Sequence, residues 1–211
     1  MSATGRLITI EGVDGSGKTT LATSLLERLT RHGVEARLMR EPGGVETSER
    51  IRELVKDPAL TVGARAEALL YAAARAQLVE QALLPVLATG AWVLLDRFVD
   101  SSLAYQGVGR GLGVDAVREL NRFATGALTP DRTLLLSLEP NLALARASER
   151  TAAAGEAPDR LEREGADFFA RIRAAYLSLA AAEPDRIRVL DAAQRPSAVL
   201  DQALAALAEF L

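Results

Sequence analysis

One octapeptide constrains this chain more than any other stretch. Gly12-Val13-Asp14-Gly15-Ser16-Gly17-Lys18-Thr19 fits the spacing G-x-x-x-x-G-K-[ST]. An apolar run, Leu7-Ile8-Thr9-Ile10, precedes it and a helix-patterned segment, Thr20 to Arg31, follows. In that strand–loop–helix setting the glycines let the backbone curl, so that N–H groups along Gly12 to Thr20 converge on phosphate oxygens at the positive end of a helix. Lys18 is expected at the terminal phosphates, solvated and with no part in the core, and the Thr19 hydroxyl is expected to help hold Mg2+. An ordinary glycine-rich turn would not need the lysine, and the chain's only lysines are Lys18 and Lys56. The stretch reads as a P-loop that binds a nucleoside triphosphate.

Downstream, strand-like and helix-like segments alternate. Glu35 to Arg40 reads as a second strand, stopped by Glu41-Pro42-Gly43-Gly44. Val45 to Val55 has helical spacing, and Ala64 to Leu84 reads as a long helix that continues through Pro85 with a kink. Trp92-Val93-Leu94-Leu95-Asp96 is a buried-strand pattern with a carboxylate at its tip. Ser101 to Gly113 reads as a polar, glycine-rich loop, and Asp115 to Thr125 as a short helix. Thr133–Leu138 and Ile187–Asp191 read as the fourth and fifth strands, with helices at Asn141–Arg150, Leu161–Leu179 and Ser197–Phe210. The small-residue stretch Thr151–Pro158, bracketed by Arg146, Arg150 and Arg160, reads as a lid, set at about residues 147–160. This alternation predicts an α/β fold: a doubly wound, five-stranded parallel sheet with helices on both faces. At 211 residues the expectation is a single domain over 1–211.

Composition narrows the class of partner. A net charge of −3 offers no basic footprint, so nucleic acid is not expected. No apolar run approaches bilayer-spanning length and no charged leader precedes a hydrophobic stretch, so no membrane is expected and the protein is read as cytoplasmic. With no cysteine and one histidine, His32 at a predicted helix end, neither thiol chemistry nor a histidine base is available to the site.

Four kinds of P-loop protein compete for what remains. A GTPase needs Asn-Lys-x-Asp to read guanine, and neither Asn121 nor Asn141 is followed by lysine. A motor or transporter ATPase is usually larger. A regulatory nucleotide-binding module has no need of so many arginines beside the loop. A small-molecule kinase does, because two anionic groups must be brought together without repulsion. Asp96-Arg97, at the carboxyl end of a strand, belongs beside the P-loop in such a sheet.

In their order and spacing these residues resemble the thymidylate (dTMP) kinase family over nearly the whole chain. The markers are the P-loop with Asp14 at its third position, Arg40-Glu41-Pro42-Gly43-Gly44, Leu70-Tyr71-Ala72-Ala73-Ala74-Arg75, Asp96-Arg97, Ser101 with Tyr105-Gln106-Gly107, and Asp159-Arg160-Leu161-Glu162. The resemblance implies the P-loop kinase fold with a short lid, Mg2+-dependent transfer from ATP to dTMP, and a homodimer. It places Arg97, with Arg52, on the dTMP phosphate, Tyr71 stacked on thymine, Arg75 bonded to the base, and Tyr105 with Ser101 or Ser102 against the sugar's 2′ position. Glu41, Pro42 and Gln106 complete the acceptor site. Asp96 would act on Mg2+ through water, and Asp14 would help place acceptor or ion. Lys18, Arg97, Asp96 and Arg150 are the catalytic set, with Arg146, Arg150 and Arg160 on the ATP phosphates. A kinase for dUMP or UMP, and a non-enzymatic nucleotide-binding module, stand as alternatives.

The chain departs from the family's patterns at three positions. Ser137 stands where an acid is common, and Tyr71 where phenylalanine is usual. Gly15 stands where one subgroup carries a catalytic arginine, so that duty falls to the lid, Arg150 first and Arg160 second. On that reading a Gly15→Arg change is expected to restore part of what loss of Arg150 removes.

Overall fold

The computed structural model describes residues 5–155, 160–161 and 164–211, with the side chains of Arg150 and Ala154 outside that description. Its centre is a five-stranded parallel sheet in the order β2-β3-β1-β4-β5. The strands are β1 (Leu7–Glu11), β2 (Ala36–Arg40), β3 (Trp92–Asp96), β4 (Arg132–Ser137) and β5 (Ile187–Asp191). Their alternation explains why both faces are covered. Ile8 and Ile10 of β1 and Leu94 of β3 point into one core, while Leu7, Val93 and Leu95 point into the other.

The first core is roofed by α1 (Lys18–Arg31), α8 (Ala166–Ala182) and α9 (Pro196–Leu207). The second is closed by a helical rod made of α3 (Ala64–Leu78), a wider π-helical turn (Val79–Leu83) and α4 (Leu84–Ala88). The expected kink at Pro85 is therefore taken up just before the proline. Proline has no N–H and its ring crowds the carbonyl four residues back, and a wide turn at that point relieves both. α2 (Glu46–Lys56) packs along α3, and α6 (Val114–Ala124) along its other side.

Three expectations are corrected here. Of Ser101 to Gly113 only the last part, Arg110 to Gly113, is a surface turn, and residues 101–109 are helical. The helical part begins as α5 (Val99–Ser102) and runs on as a buried π-helical segment, Leu103–Gly109, against α6 and α8. Its serines and glutamine suggested solvent, but their polar groups find partners inside the protein. The helix expected to stop at Arg150 is α7 (Pro140–Ala154), which runs through the alanines and ends where Gly155 takes a left-handed conformation. Residues 147–154 of the expected lid are thus helical, and residues 156–159, with Asp159 of the quoted motif, lie outside the described residues, as do Glu162 and Arg163. Gly165 precedes α8, which begins at Ala166 rather than Leu161. Among the described residues no helix is long and apolar enough to cross a membrane.

Candidate active site

Parallel pairing aligns the carboxyl ends of the strands, with Ile10 and Arg40 both opposite Asp96 and Ser137 opposite Asp191. A cavity of about 1120 Å³ opens there. The loop leaving β1 forms its floor. Asp14 through Thr20 line it, whereas Gly12 and Val13 are not on its wall. Gly15 has φ +79°, and a Cβ on it would stand 2.1 Å from the Ala143 carbonyl oxygen. The loop and α7 therefore touch only because residue 15 has no side chain. This overturns the expectation that Gly15→Arg rescues a lid defect, since the new side chain has no room at its first carbon.

Lys18 is 7% exposed, not solvated, and donates to the Val13 carbonyl at 3.0 Å with Asp14 at 3.8 Å. Burial, then Arg97, lowers its pKa, against the pull of Asp14 and Asp96. Beside it the Thr19 hydroxyl donates to Asp96 Oδ2 at 3.4 Å, and the buried Asp96 Oδ1 has no hydrogen-bond partner. Hydroxyl and carboxylate oxygens are the donors Mg2+ prefers, and an orphaned buried carboxylate oxygen beside them fits such an ion. Among the described residues no cluster of three or more acidic, histidine or cysteine side chains gathers for a metal. An ion here would take its other ligands from nucleotide phosphates and water.

Arg97 crosses from the strand tip to the loop. Its Nη2 donates to Asp14 Oδ1 at 2.8 Å, its Nη1 to Ser101 Oγ at 3.1 Å, and its guanidinium carbon lies 5.2 Å from the Tyr105 ring centroid. Burial opposes its charge, but Asp14, then Tyr105, Tyr176 of α8 and Asp96, hold it above arginine's ordinary range. Its backbone φ is 69°, uncommon for any residue but glycine. Behind it lies Glu11, fully buried, which accepts from Phe98 N at 2.8 Å, Ser101 Oγ at 2.6 Å and the Tyr176 hydroxyl at 2.9 Å. Burial, with Asp100 nearby, pushes the Glu11 carboxyl up to about 7.

One wall of the cavity comes from the β2–α2 turn, α3 and the 101–106 segment. Glu41, Pro42, Arg52, Tyr71, Arg75, Ser102 and Gln106 all line it. Arg52 donates to the Pro42 carbonyl at 3.0 Å. Arg75 is 2% exposed, and its guanidinium is committed within the protein. It faces Glu41 at 2.7 Å, Ser102 at 2.9 Å, the Phe98 carbonyl at 3.0 Å, and Asn121. A direct bond from Arg75 to a base therefore needs one of these partners to turn away. Burial raises the Glu41 pKa against the pull of Arg75, and Glu41 Oε1 has no hydrogen-bond partner.

The opposite wall holds Arg146, which donates to the Ala192 carbonyl at 3.1 Å, with Gln194, Pro196 and Val199 beyond. Of the other two arginines expected near the phosphates, the Arg150 side chain lies outside the described residues. Arg160 is not on the cavity wall. It donates to the Val55 carbonyl at 3.1 Å and pairs with buried Glu67 at 2.6 Å, where Gln106 and Arg110 also converge. Sequence reasoning missed Glu11, although it shares with Asp96 the signal of an acid at the end of a buried strand. It missed Glu67, Asn121 and Tyr176 too, because a polar residue within a helix does not announce its partner.

A family model described as thymidylate kinase matches residues 10–203. A thymidylate kinase from Ligilactobacillus salivarius is 46% identical over 209 residues, covering 98% of this chain and 99% of its own. One from Deinococcus radiodurans is 49% identical over 188 residues, 89% of each chain. A third, from Pelotomaculum thermopropionicum, is 46% identical over 208 residues, covering 98% of this chain and 94% of its own.

Proposed function

The chain belongs to the thymidylate kinase family and phosphorylates dTMP from ATP, and on that premise we propose how its residues divide the work. ATP lies over the P-loop, its phosphates on the backbone N–H groups of residues 12–20 and on Lys18, its base toward Ala192 and Gln194 past Arg146. dTMP lies against the other wall, Tyr71 stacked on thymine and Arg75 toward its edge, with Tyr105, Ser101 and Ser102 at the 2′ position and Glu41, Pro42 and Gln106 around them. Arg97, joined by Arg52, holds the acceptor phosphate. The observation that carries this reading is the Arg97 guanidinium 2.8 Å from Asp14 of the P-loop, in the same cavity as Tyr71. One arginine thus spans from donor loop to acceptor wall, which aligns two like-charged groups for in-line transfer.

Thr19, and Asp96 through water, would hold Mg2+. Bound there, the ion would neutralise charge on the phosphates. Arg150, on the last turns of α7, meets the charge that develops on the transferring group, with Arg160 as second candidate if the segment that carries it leaves Glu67. The protein is a single cytoplasmic domain over 1–211 with a lid at about 147–160, its first half formed by the end of α7, and it works as a homodimer. Support for the dimer is the exposed apolar side chains on helices that pack side by side, Leu54 of α2, Leu69 of α3 and Phe123 of α6.

The test is ADP release by purified protein with dTMP, dUMP, UMP, AMP and GMP as acceptors, with and without Mg2+. dTMP is expected to give the highest kcat/KM, and turnover is expected to stop without the ion. Uracil differs from thymine by one methyl, so dUMP should trail by about 10–200-fold at most. AMP or GMP as best acceptor would contradict the acceptor assignment.

A further inference from the structure

Arg97 holds an uncommon backbone conformation and yet has a defined guanidinium position, so something beneath it must set both. The groups that do so never meet substrate. Glu11 and Tyr176 are 0% and 3% exposed, and neither lines the cavity. Glu11 Oε1 accepts the N–H of Phe98, the residue after Arg97, at 2.8 Å, and the N–H of Ser101 at 3.3 Å. Its Oε2 accepts from Ser101 Oγ at 2.6 Å and from Tyr176 at 2.9 Å, and the two hydroxyls are themselves 2.8 Å apart. Ser101 Oγ is in turn the atom that Arg97 Nη1 meets at 3.1 Å.

We propose that Glu11 and Tyr176 are positioning residues for Arg97, fixing its backbone through Phe98 and its guanidinium through Ser101. The chain of contacts runs from α8 through the tip of β1 to α5 and ends at the arginine that faces the P-loop. A fully satisfied buried network rigidifies what it holds, whereas a partly satisfied one leaves it loose. Preorganisation of this kind is felt by the ligand that the held group binds. It is therefore felt chiefly by dTMP, whose phosphate Arg97 holds, and much less by ATP. The proposal rests on Arg97 binding the acceptor phosphate.

Steady-state kinetics of Tyr176→Phe, Glu11→Leu, Glu11→Gln, Arg97→Ala and the Tyr176→Phe/Arg97→Ala pair test it. Tyr176→Phe keeps the ring and removes one hydroxyl, and it is expected to raise KM for dTMP about five- to tenfold, with KM for ATP and kcat within about twofold. Glu11→Leu should do the same more strongly. Glu11→Gln, which can still accept from Phe98 and donate to a hydroxyl, should stay near wild type. In the Arg97→Ala background Tyr176→Phe should add nothing, since what it positions is gone. Should Glu11→Leu fail to fold, Tyr176→Phe and the pair decide the matter. Wild-type KM for dTMP in Tyr176→Phe, an equal rise for both substrates, or a full further rise in the double variant would overturn the proposal while leaving the role of Arg97 intact. An unchanged KM for dTMP in Arg97→Ala would overturn that role and the proposal with it.

Discussion

Arg97 holds its φ of 69° at a cost of about 1–3 kcal/mol, and its neighbours repay it. Among those neighbours Glu11 gives a pH signature. Its carboxyl is raised by burial to about 7 from an unfolded value of 4.5, so between these values the folded protein binds the extra proton. The associated stability is complete below about 4.5 and is lost as pH rises through about 7, a contribution on the order of 3 kcal/mol. Denaturant unfolding at about pH 5 and about pH 8 should therefore show a larger fall for wild type than for Glu11→Gln. Equal falls would mean Glu11 does not titrate between the two. At this scale the sequence is legible where chemistry is written in the residue type. Lys18, Thr19, Asp96 and Arg97 are all brought to the cavity by the strand ends. The burial of Lys18 is not legible, because it depends on how closely the loop folds back on the Val13 carbonyl.

At the scale of elements, Glu67 near the start of α3 ties together parts far apart in sequence, with Gln106, Arg110 and Arg160 all directed at it. Arg110 and Arg160 are only 19% and 14% exposed, so Glu67→Ala leaves two guanidinium groups buried with a partner lost. Breaking a buried pair from one side costs about 3–5 kcal/mol, and the lower end is expected because Glu164 still meets Arg110. Chemical unfolding measures it, and a loss under about 1 kcal/mol would show that the cluster is solvated in practice. The same α7 that presses on Gly15 carries Arg150. Arg150→Ala should lower kcat about a thousandfold with little change in either KM, and wild-type kcat in that variant would remove the arginine from the reaction. Hydrophobic periodicity made the strands and long helices readable. It failed at 101–109, where serine, glutamine and glycine signal a loop and only the internal partners Glu11, Arg75 and Glu67 reveal a buried helical turn. It also failed at the end of α7, where small residues chosen as lid material are good helix formers.

For the whole molecule, the doubly wound sheet does one thing for function: it collects the tips of five strands on one side and lets a single cavity face both the loop after β1 and the helices α2 and α3. Those helices also carry the exposed apolar side chains Leu69 (57%) and Phe123 of neighbouring α6 (87%). Changing both to glutamate is expected to convert a dimer to a monomer by light scattering, and an unchanged mass would rule this face out as the interface. The central claim is that the cavity seats two nucleotides, with Arg97 reading the acceptor by its phosphate. Calorimetric titration of dTMP and of thymidine, which lacks that phosphate, into wild type and Arg97→Ala tests it most directly. Arg97→Ala should lose about tenfold or more in affinity for dTMP, the worth of a charge-assisted contact, and bind thymidine as wild type does. Equal loss for both ligands, or no loss for dTMP, would contradict it.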